Sequence, residues 1–296
     1  MVRSSAPLLA WTRGERTLRV FVGCNFSIYA EAALRWVGEL QKIGPCAVIL
    51  GLVDRLSKER AELAIFDALH ATEEVPEVAT ELHRELRATA QRILGIEPDT
   101  ISVQPGSAQI DAHLVEMASA TQADLLVIGT HRWHGLQRLA HPSISRHLLH
   151  DAPMSVACVP PKVRHGFPEP ISEISRVLIA PDLSPQAEEI ISMGYATLRG
   201  EGSACLFHNA RAGEKPTPYE IEQRLRTLIP VEAGERGIST EIRICEDDDP
   251  VEALCQSADH FGADLVCVGS QTTMGGTTAN AIVGASARPV LVVRTD

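Results

Sequence analysis

Two stretches of this chain, 140 residues apart (263 minus 123), are spelled almost alike: ADLLVIGT at Ala123–Thr130 and ADLVCVGS at Ala263–Ser270. Each is a run of buried-strand residues that stops on a glycine and a hydroxyl residue and then enters a loop and a helix. A strand ending in that way is where an α/β sheet usually holds phosphate. The echo extends to both sides. Arg176–Ser184 (RVLIAPDLS) repeats Arg19–Ser27 (RVFVGCNFS) at an offset of 157 (176 minus 19), and Val290 repeats Val156 at an offset of 134 (290 minus 156). The second copy has therefore lost 17 residues (157 minus 140) between its first and fourth strands, and 6 more (140 minus 134) after Gly269. An internal duplication of this kind dictates a fold built twice.

The length agrees: 296 residues exceed one ordinary core and suit two domains of about 150 residues each. Only 4% of residues are aromatic, and the apolar content is mostly Ala, Val, Leu and Ile, which favours helices packed on parallel strands. In the first copy the pattern predicts strands at Arg19–Cys24, Cys46–Val53, Asp99–Val103, Leu125–Ile128 and Ser155–Val159. Helices are expected at Ala30–Leu40, across the charged 57–94 region with a break near Pro76, at Ser107–Thr121 and around Ile144–Leu149. In the second copy a strand is read at Ala204–Asn209 and compact helices at Pro218–Ala233 and Val251–Phe261. Residues 1–16 read as a loose arm. Pro160–Pro170 (PPKVRHGFPEP) reads as a linker unsuited to a helix or central strand. The expected division is 1–160, a linker at 161–171, and 172–296. Alternating strands and helices make each unit a parallel, doubly wound sheet with right-handed crossovers. Ligands in such sheets sit beyond the carboxyl ends of the strands, where the strand order reverses; that singles out Asn25, Gly129, Asp182 and Gly269.

The charge balance narrows the partners. A formal charge of −11 argues against a general nucleic-acid or membrane-surface binder. The seven cysteines form no C-x-x-C pair and mostly lie in apolar strand-like runs, a pattern of small buried hydrophobes in a reducing compartment. The apolar hexad Ala6–Trp11 is too short for a signal-peptide core, and no stretch approaches membrane-spanning length. A cytoplasmic protein is expected.

Placed in order, these pieces resemble the universal stress protein family in its tandem form, with two domains in one chain. The strand-one motif Asp-x-Ser is matched by Asn25-Phe26-Ser27 and Asp182-Leu183-Ser184. The strand-four signature falls at Ala123–Thr130 and Ala263–Ser270, preceded by turns at Pro105-Gly106-Ser107 and Asp249-Pro250. The closing Ala-Pro-x-x-Val is met by Ala152–Val156 and more loosely by Ala287–Val290. The resemblance implies two Rossmann-like domains of the adenine nucleotide alpha hydrolase-like type, each with a five-stranded parallel sheet. It also implies pairing of the two domains through their last strands, Ser155–Val159 and Pro289–Val293, which closes two open edges.

Members of the family that bind ATP carry G-x2-G-x9-G-(S/T) after strand four, where backbone N–H groups and one hydroxyl close on phosphate oxygens. In the first copy Gly129 and Ser143 fill the ends of this pattern, but Arg132 and Pro142 stand at its inner glycines, and proline offers no N–H. The strand-one acid is also replaced there, by Asn25. In the second copy Asp182, Gly269, Gly276 and Thr277 survive together, while Thr272 stands at the middle glycine and the loop is six residues short. It is too short to wrap a triphosphate as family binders do, which leaves room for a smaller nucleotide. The expectation is a non-enzymatic stress-response module with weak, degenerate adenine-nucleotide (ATP) binding in its second half. A nucleotide-free interaction scaffold that docks a partner through its sheet edges or the 57–94 region is the second reading, and a weak ATPase or phosphotransfer enzyme the third. Further pairing into a homodimer is compatible with all three.

Other constellations carry less. His131, His134, His141, His147 and His150 crowd one segment without a metal-binding spacing. The run Glu246-Asp247-Asp248-Asp249 reads as an acidic cap on the helix that follows rather than a magnesium site. Ser27 and Ser184 are expected to cap the next helices, with Pro185 in a first turn. No nucleophile elbow, P-loop or kinase signature is present.

Overall fold

The computed structural model describes residues 10–54, 77–105, 109–130, 144–164, 167–168, 173–210, 216–270 and 277–295. The first unit runs β1 (Leu18–Cys24), α1 (Ile28–Gln41), β2 (Cys46–Asp54), α2 (Glu77–Leu94), β3 (Thr100–Pro105), α3 (Ile110–Ala120), β4 (Leu125–Gly129), α4 (Ile144–Asp151) and β5 (Ser155–Val159). A short antiparallel pair, β6 (Val163–Arg164) and β7 (Phe167–Pro168), follows. The second unit runs β8 (Arg176–Ala180), α5 (Ala187–Ala196), β9 (Ser203–Ala210), α6 (Pro218–Thr227), α7 (Val231–Glu235), β10 (Ser239–Glu246), α8 (Pro250–Phe261), β11 (Leu265–Ser270), α9 (Thr277–Ala285) and β12 (Val290–Arg294).

All the long strands join one ten-stranded sheet, in the order β10-β9-β8-β11-β12-β5-β4-β1-β2-β3. Five are parallel within each half, and the halves meet where β12 lies antiparallel to β5 with Leu291 opposite Ala157. The expected pairing of last strands is observed, and its consequence is larger than two docked domains. Apolar side chains on each sheet face form one cluster that runs through both halves. Leu291 and Ala157 are fully buried at the seam. Arg294 ties it from the side: its guanidinium donates to the carbonyls of Leu149 (3.2 Å) and His150 (3.3 Å), at the end of α4. Those carbonyls have no partner within their own helix, and a cation suits that end of the helix dipole.

The aspartate of each strand-four signature has a structural task. Asp264 Oδ2 accepts from the backbone N–H groups of Ser175 (3.1 Å) and Arg176 (3.0 Å), and Asp124 Oδ2 accepts from Arg19 N–H (2.9 Å). Each carboxylate thus pins the start of the neighbouring first strand, which sets the register of β4 against β1 and of β11 against β8.

Several expectations need correction. Residues 10–16 are not a loose arm: Trp11 is 1% exposed and its indole N–H donates to the Pro45 carbonyl at 3.0 Å. The Pro218–Ala233 helix is two helices, because Pro230 cannot continue the first and instead leads the second. The third helix starts at Ile110. The described part of the 57–94 region, α2, is a crossover helix between β2 and β3, with Leu86 and Ala90 buried in the core. Strand β10 was not singled out by pattern, since as an edge strand its residues are mostly half-exposed and carry no continuous apolar run. Among the described residues no helix is long and apolar enough to cross a membrane. All seven cysteines are free thiols. Burial raises the pKa of Cys24 and Cys158 to about 12, so these thiols stay protonated and unreactive.

Candidate functional site

The first strand of each unit ends in the same turn. In the first, Asn25 Oδ1 accepts from the backbone N–H (3.3 Å) and hydroxyl (2.6 Å) of Ser27; in the second, Asp182 Oδ1 accepts from the backbone N–H of Ser184 (3.1 Å). The residue between is left-handed in both, Phe26 at φ 56° and Leu183 at φ 56°. A non-glycine residue in that region costs about 1 kcal/mol or more, so the side-chain bond that holds the turn is what keeps it there. Asparagine and aspartate do this equally well, and the turn survives the change of charge between the copies.

The helices that follow differ. Ser27 caps α1 by accepting from Ala30 N–H, as expected. Ser184 instead accepts from Gln186 N–H within the turn, and α5 begins only at Ala187, its N-cap Gln186 making no side-chain bond. Pro185 therefore precedes the helix rather than opening it. This shift changes what meets the strand-four glycine. A methyl group added at Gly129 would stand 2.0 Å from the carbonyl oxygen of Tyr29, in the first turn of α1. One added at Gly269 would meet only the Ile190 side chain, with Cδ1 at 2.4 Å. Both glycines are required by close helix–strand packing on the face away from the ligand crevice. The glycine that reads as a phosphate signal is first a packing residue.

On the other face of the second unit lies a cavity of about 310 Å³. It opens beyond the carboxyl ends of β8 and β11, from which the strand order runs outward in opposite directions, to β9 on one side and β12 on the other. Asp182 reaches it from the β8 turn, His208 and Asn209 from the end of β9, Gly269 and Ser270 from the end of β11, and Thr278 from the first turn of α9. Its apolar wall comes from Phe207, Leu254, Val268 and Ile282. By strand alternation Ser270 shares the side of Val268, so its side chain faces this cavity. Ser270 is 6% exposed, and its Oγ has no hydrogen-bond partner among the described residues. An orphaned buried hydroxyl costs about 1–3 kcal/mol, and a ligand that bonded it would recover that cost.

His208 is a site residue that sequence reasoning missed, because a single histidine inside an apolar strand carries no motif. Its Nδ1 lies 3.3 Å from the Pro181 carbonyl, which can only accept, so Nδ1 holds the proton and Nε2 is left as an acceptor. Burial holds its pKa below the usual histidine value of 6.5, opposed by the Pro181 bond and by the charge of Asp182. The unfolded chain protonates this ring near 6.5, whereas the folded one resists until lower pH. Its effect on stability is therefore absent above about 6.5 and destabilising as pH falls below it. A proton NMR titration of His208 should place its midpoint below 6.5, and Asp182→Asn should move it lower still. A midpoint above 6.5 would contradict this account of the cavity.

The other expected residues divide. Asp182 and Gly269 are brought together in the cavity. Thr277 is the first residue of α9, at the helix N-terminus where an anion or a ligand acceptor is favoured. Gly276, Ser143, Arg132, Pro142, Thr272, His131, His134 and His141 lie outside the described residues. Asn25 and Gly129 hold the corresponding turn and strand end in the first unit. His147 Nδ1 pairs with Asp111 at 2.9 Å and His150 Nδ1 with Asp151 at 2.6 Å, both exposed. Asp249 caps α8, its Oδ1 accepting from Val251 and Glu252 N–H at 3.0 Å each, which is the capping role expected of the acidic run.

The chain is a duplicated, doubly wound α/β module with a crevice at the reversal point of strand order. Comparison with known proteins supplies the family. The universal stress protein family model matches residues 17–160 and again 173–294, and the chain belongs to that family, in tandem form. Among solved structures it is similar to a universal stress protein from Archaeoglobus fulgidus DSM 4304, at 17% identity and a TM-score of 0.67, over 94% of this chain and 96% of that one. It is also similar to a functionally unknown protein from Pseudomonas aeruginosa PAO1, at 17% identity and a TM-score of 0.58, over 99% and 95% of the two chains. At this identity the likeness speaks for the fold. No curated protein sequence matches the chain.

Proposed function

We propose that this tandem universal stress protein is a cytoplasmic stress-response module that binds an adenine nucleotide in the crevice of its second unit, as a sensor rather than an enzyme. The observation that carries the proposal is the cavity at the strand-order reversal, lined by Asp182 and by Ser270, whose hydroxyl has no partner among the described residues. Its volume of about 310 Å³ falls at the small end of ligand pockets, and its lining is an apolar wall with a few converging polar groups. The start of α9 adds backbone N–H groups and the positive end of a helix dipole.

Ser270→Phe places a ring in the cavity. Equilibrium dialysis with adenosine, AMP, ADP and ATP should show saturable binding to the natural chain and at least a tenfold loss, about 1.4 kcal/mol, in the variant. No saturable binding by any of the four at millimolar concentration would overturn the proposal and favour the nucleotide-free scaffold. Release of inorganic phosphate from ATP that disappears in Asp182→Asn would favour the enzyme reading instead.

A further inference from the structure

In the first unit the last turns of α1 and α2 face each other across a cavity of about 450 Å³. Arg35, Gly38, Glu39 and Lys42 line it from the α1 side. Ile93, Leu94 and Ile96 form the apolar wall opposite, at the end of α2 and in the turn after it. Leu18 N–H donates to the Pro45 carbonyl at 2.9 Å, so α1 ends beside the start of β1. The cavity thus lies at the amino ends of the first-unit strands, away from the crevice of the second unit.

Gly38 is a glycine that the fold does not need. Inside a helix glycine is less favourable than alanine. A methyl group there would meet only Leu94 Cδ2 at 3.5 Å, which is ordinary contact, and no positive φ requires the glycine. What it preserves is room in the cavity. Beside it, two charged side chains hold buried atoms with no hydrogen-bond partner among the described residues, Arg35 Nε and Glu39 Oε2. Their other ends are engaged: Arg35 Nη2 lies 3.7 Å from Glu31, and Glu39 Oε1 accepts from Lys42 Nζ at 2.7 Å. A buried polar atom short of a bond is costly, and a ligand that bonded both would recover that cost. The two residues stand at i and i+4 on one helix face, with Cβ atoms about 5–6 Å apart.

We propose that this groove binds a free α-amino acid with a branched aliphatic side chain. The Arg35 guanidinium donates to the ligand's carboxylate, and Glu39 accepts from its ammonium, both charge-assisted bonds. An α-amino acid carries the two charges on one carbon, as the short spacing of Arg35 and Glu39 requires. Its side chain lies against Ile93, Leu94 and the exposed Ile96, and covers the last from water. A dicarboxylate or a diamine would set one of its charges against a like charge of the protein.

Isothermal titration of the full chain with L-leucine, L-leucinamide and 4-methylpentanoate tests the proposal, since the second lacks the carboxylate and the third the ammonium. Leucine should bind saturably, at least tenfold tighter than either analogue. Glu39→Gln should bring leucine down to the level of 4-methylpentanoate without weakening 4-methylpentanoate itself, a pattern that a general loss of stability would not give. Gly38→Leu, which fills the cavity, should abolish leucine binding. No saturable leucine binding at millimolar ligand, or analogues within tenfold of leucine, overturns the proposal. So does equal weakening of leucine and 4-methylpentanoate in Glu39→Gln, or leucine binding that survives Gly38→Leu.

Discussion

Gly129→Ala lowers the stability of the chain by about 3 kcal/mol, whereas Gly269→Ala lowers it by about 1 kcal/mol, although the two glycines occupy the same place in the repeat. The reason is what each new methyl group meets. At Gly129 it stands 2.0 Å from a backbone carbonyl in the first turn of α1, and that helix can yield only by moving as a body away from β4. At Gly269 the nearest atom is the end of the Ile190 side chain, 2.4 Å away, and a change of rotamer relieves most of the contact. Chemical denaturation of the two variants measures the difference. Equal losses would show that both glycines serve the same purpose and that the late start of α5 is irrelevant.

Leu291→Ala should cost about 3 kcal/mol, within the usual range for emptying a core leucine site, and its damage should cross the repeat boundary. Leu291 is fully buried opposite Ala157, and the apolar cluster it joins continues from β11 through β12 and β5 to β4. Hydrogen exchange should therefore accelerate in β5 and α1 of the first unit as well as in β12. The contrary result, faster exchange confined to the second unit, would mean that the halves fold independently and merely touch. The same geometry predicts that either half expressed alone exposes a long apolar edge strand, the surface that β12 and β5 hide from each other.

The fold was readable because each of its decisive features leaves a mark in short sequence. Buried parallel strands write continuous apolar runs such as Cys46–Val53 and Leu125–Ile128. The echo of Ala123–Thr130 at Ala263–Ser270 doubled them, and the pairing of last strands followed from the family resemblance. What pattern did not supply is what depends on three-dimensional neighbours. Trp11 looked like part of a loose arm because the Pro45 carbonyl that receives its indole is 34 residues away. Strand β10, at the sheet edge, alternates too weakly to declare itself. Gly129 and Gly269 looked alike until the helix crossing each was in place.

The candidate site was half legible. Asp182 and Gly269 were found because they belong to a motif. His208 was not, since a histidine within a strand is an ordinary residue until the fold brings the end of β9 to the cavity, and Ser270 was read only as the last residue of the strand-four signature. Asn25 holds the same turn as Asp182 through the same backbone bond, so the residue type at this position separates the copies by charge and not by local fold.

The central claim is that one crevice per chain, in the second unit, holds an adenine ligand. Its most direct test is the stoichiometry of adenosine binding by isothermal titration, in the natural chain and in Ser270→Phe. The account predicts one site per chain, lost in the variant. Two sites per chain, or one site that survives the filled cavity, would contradict it.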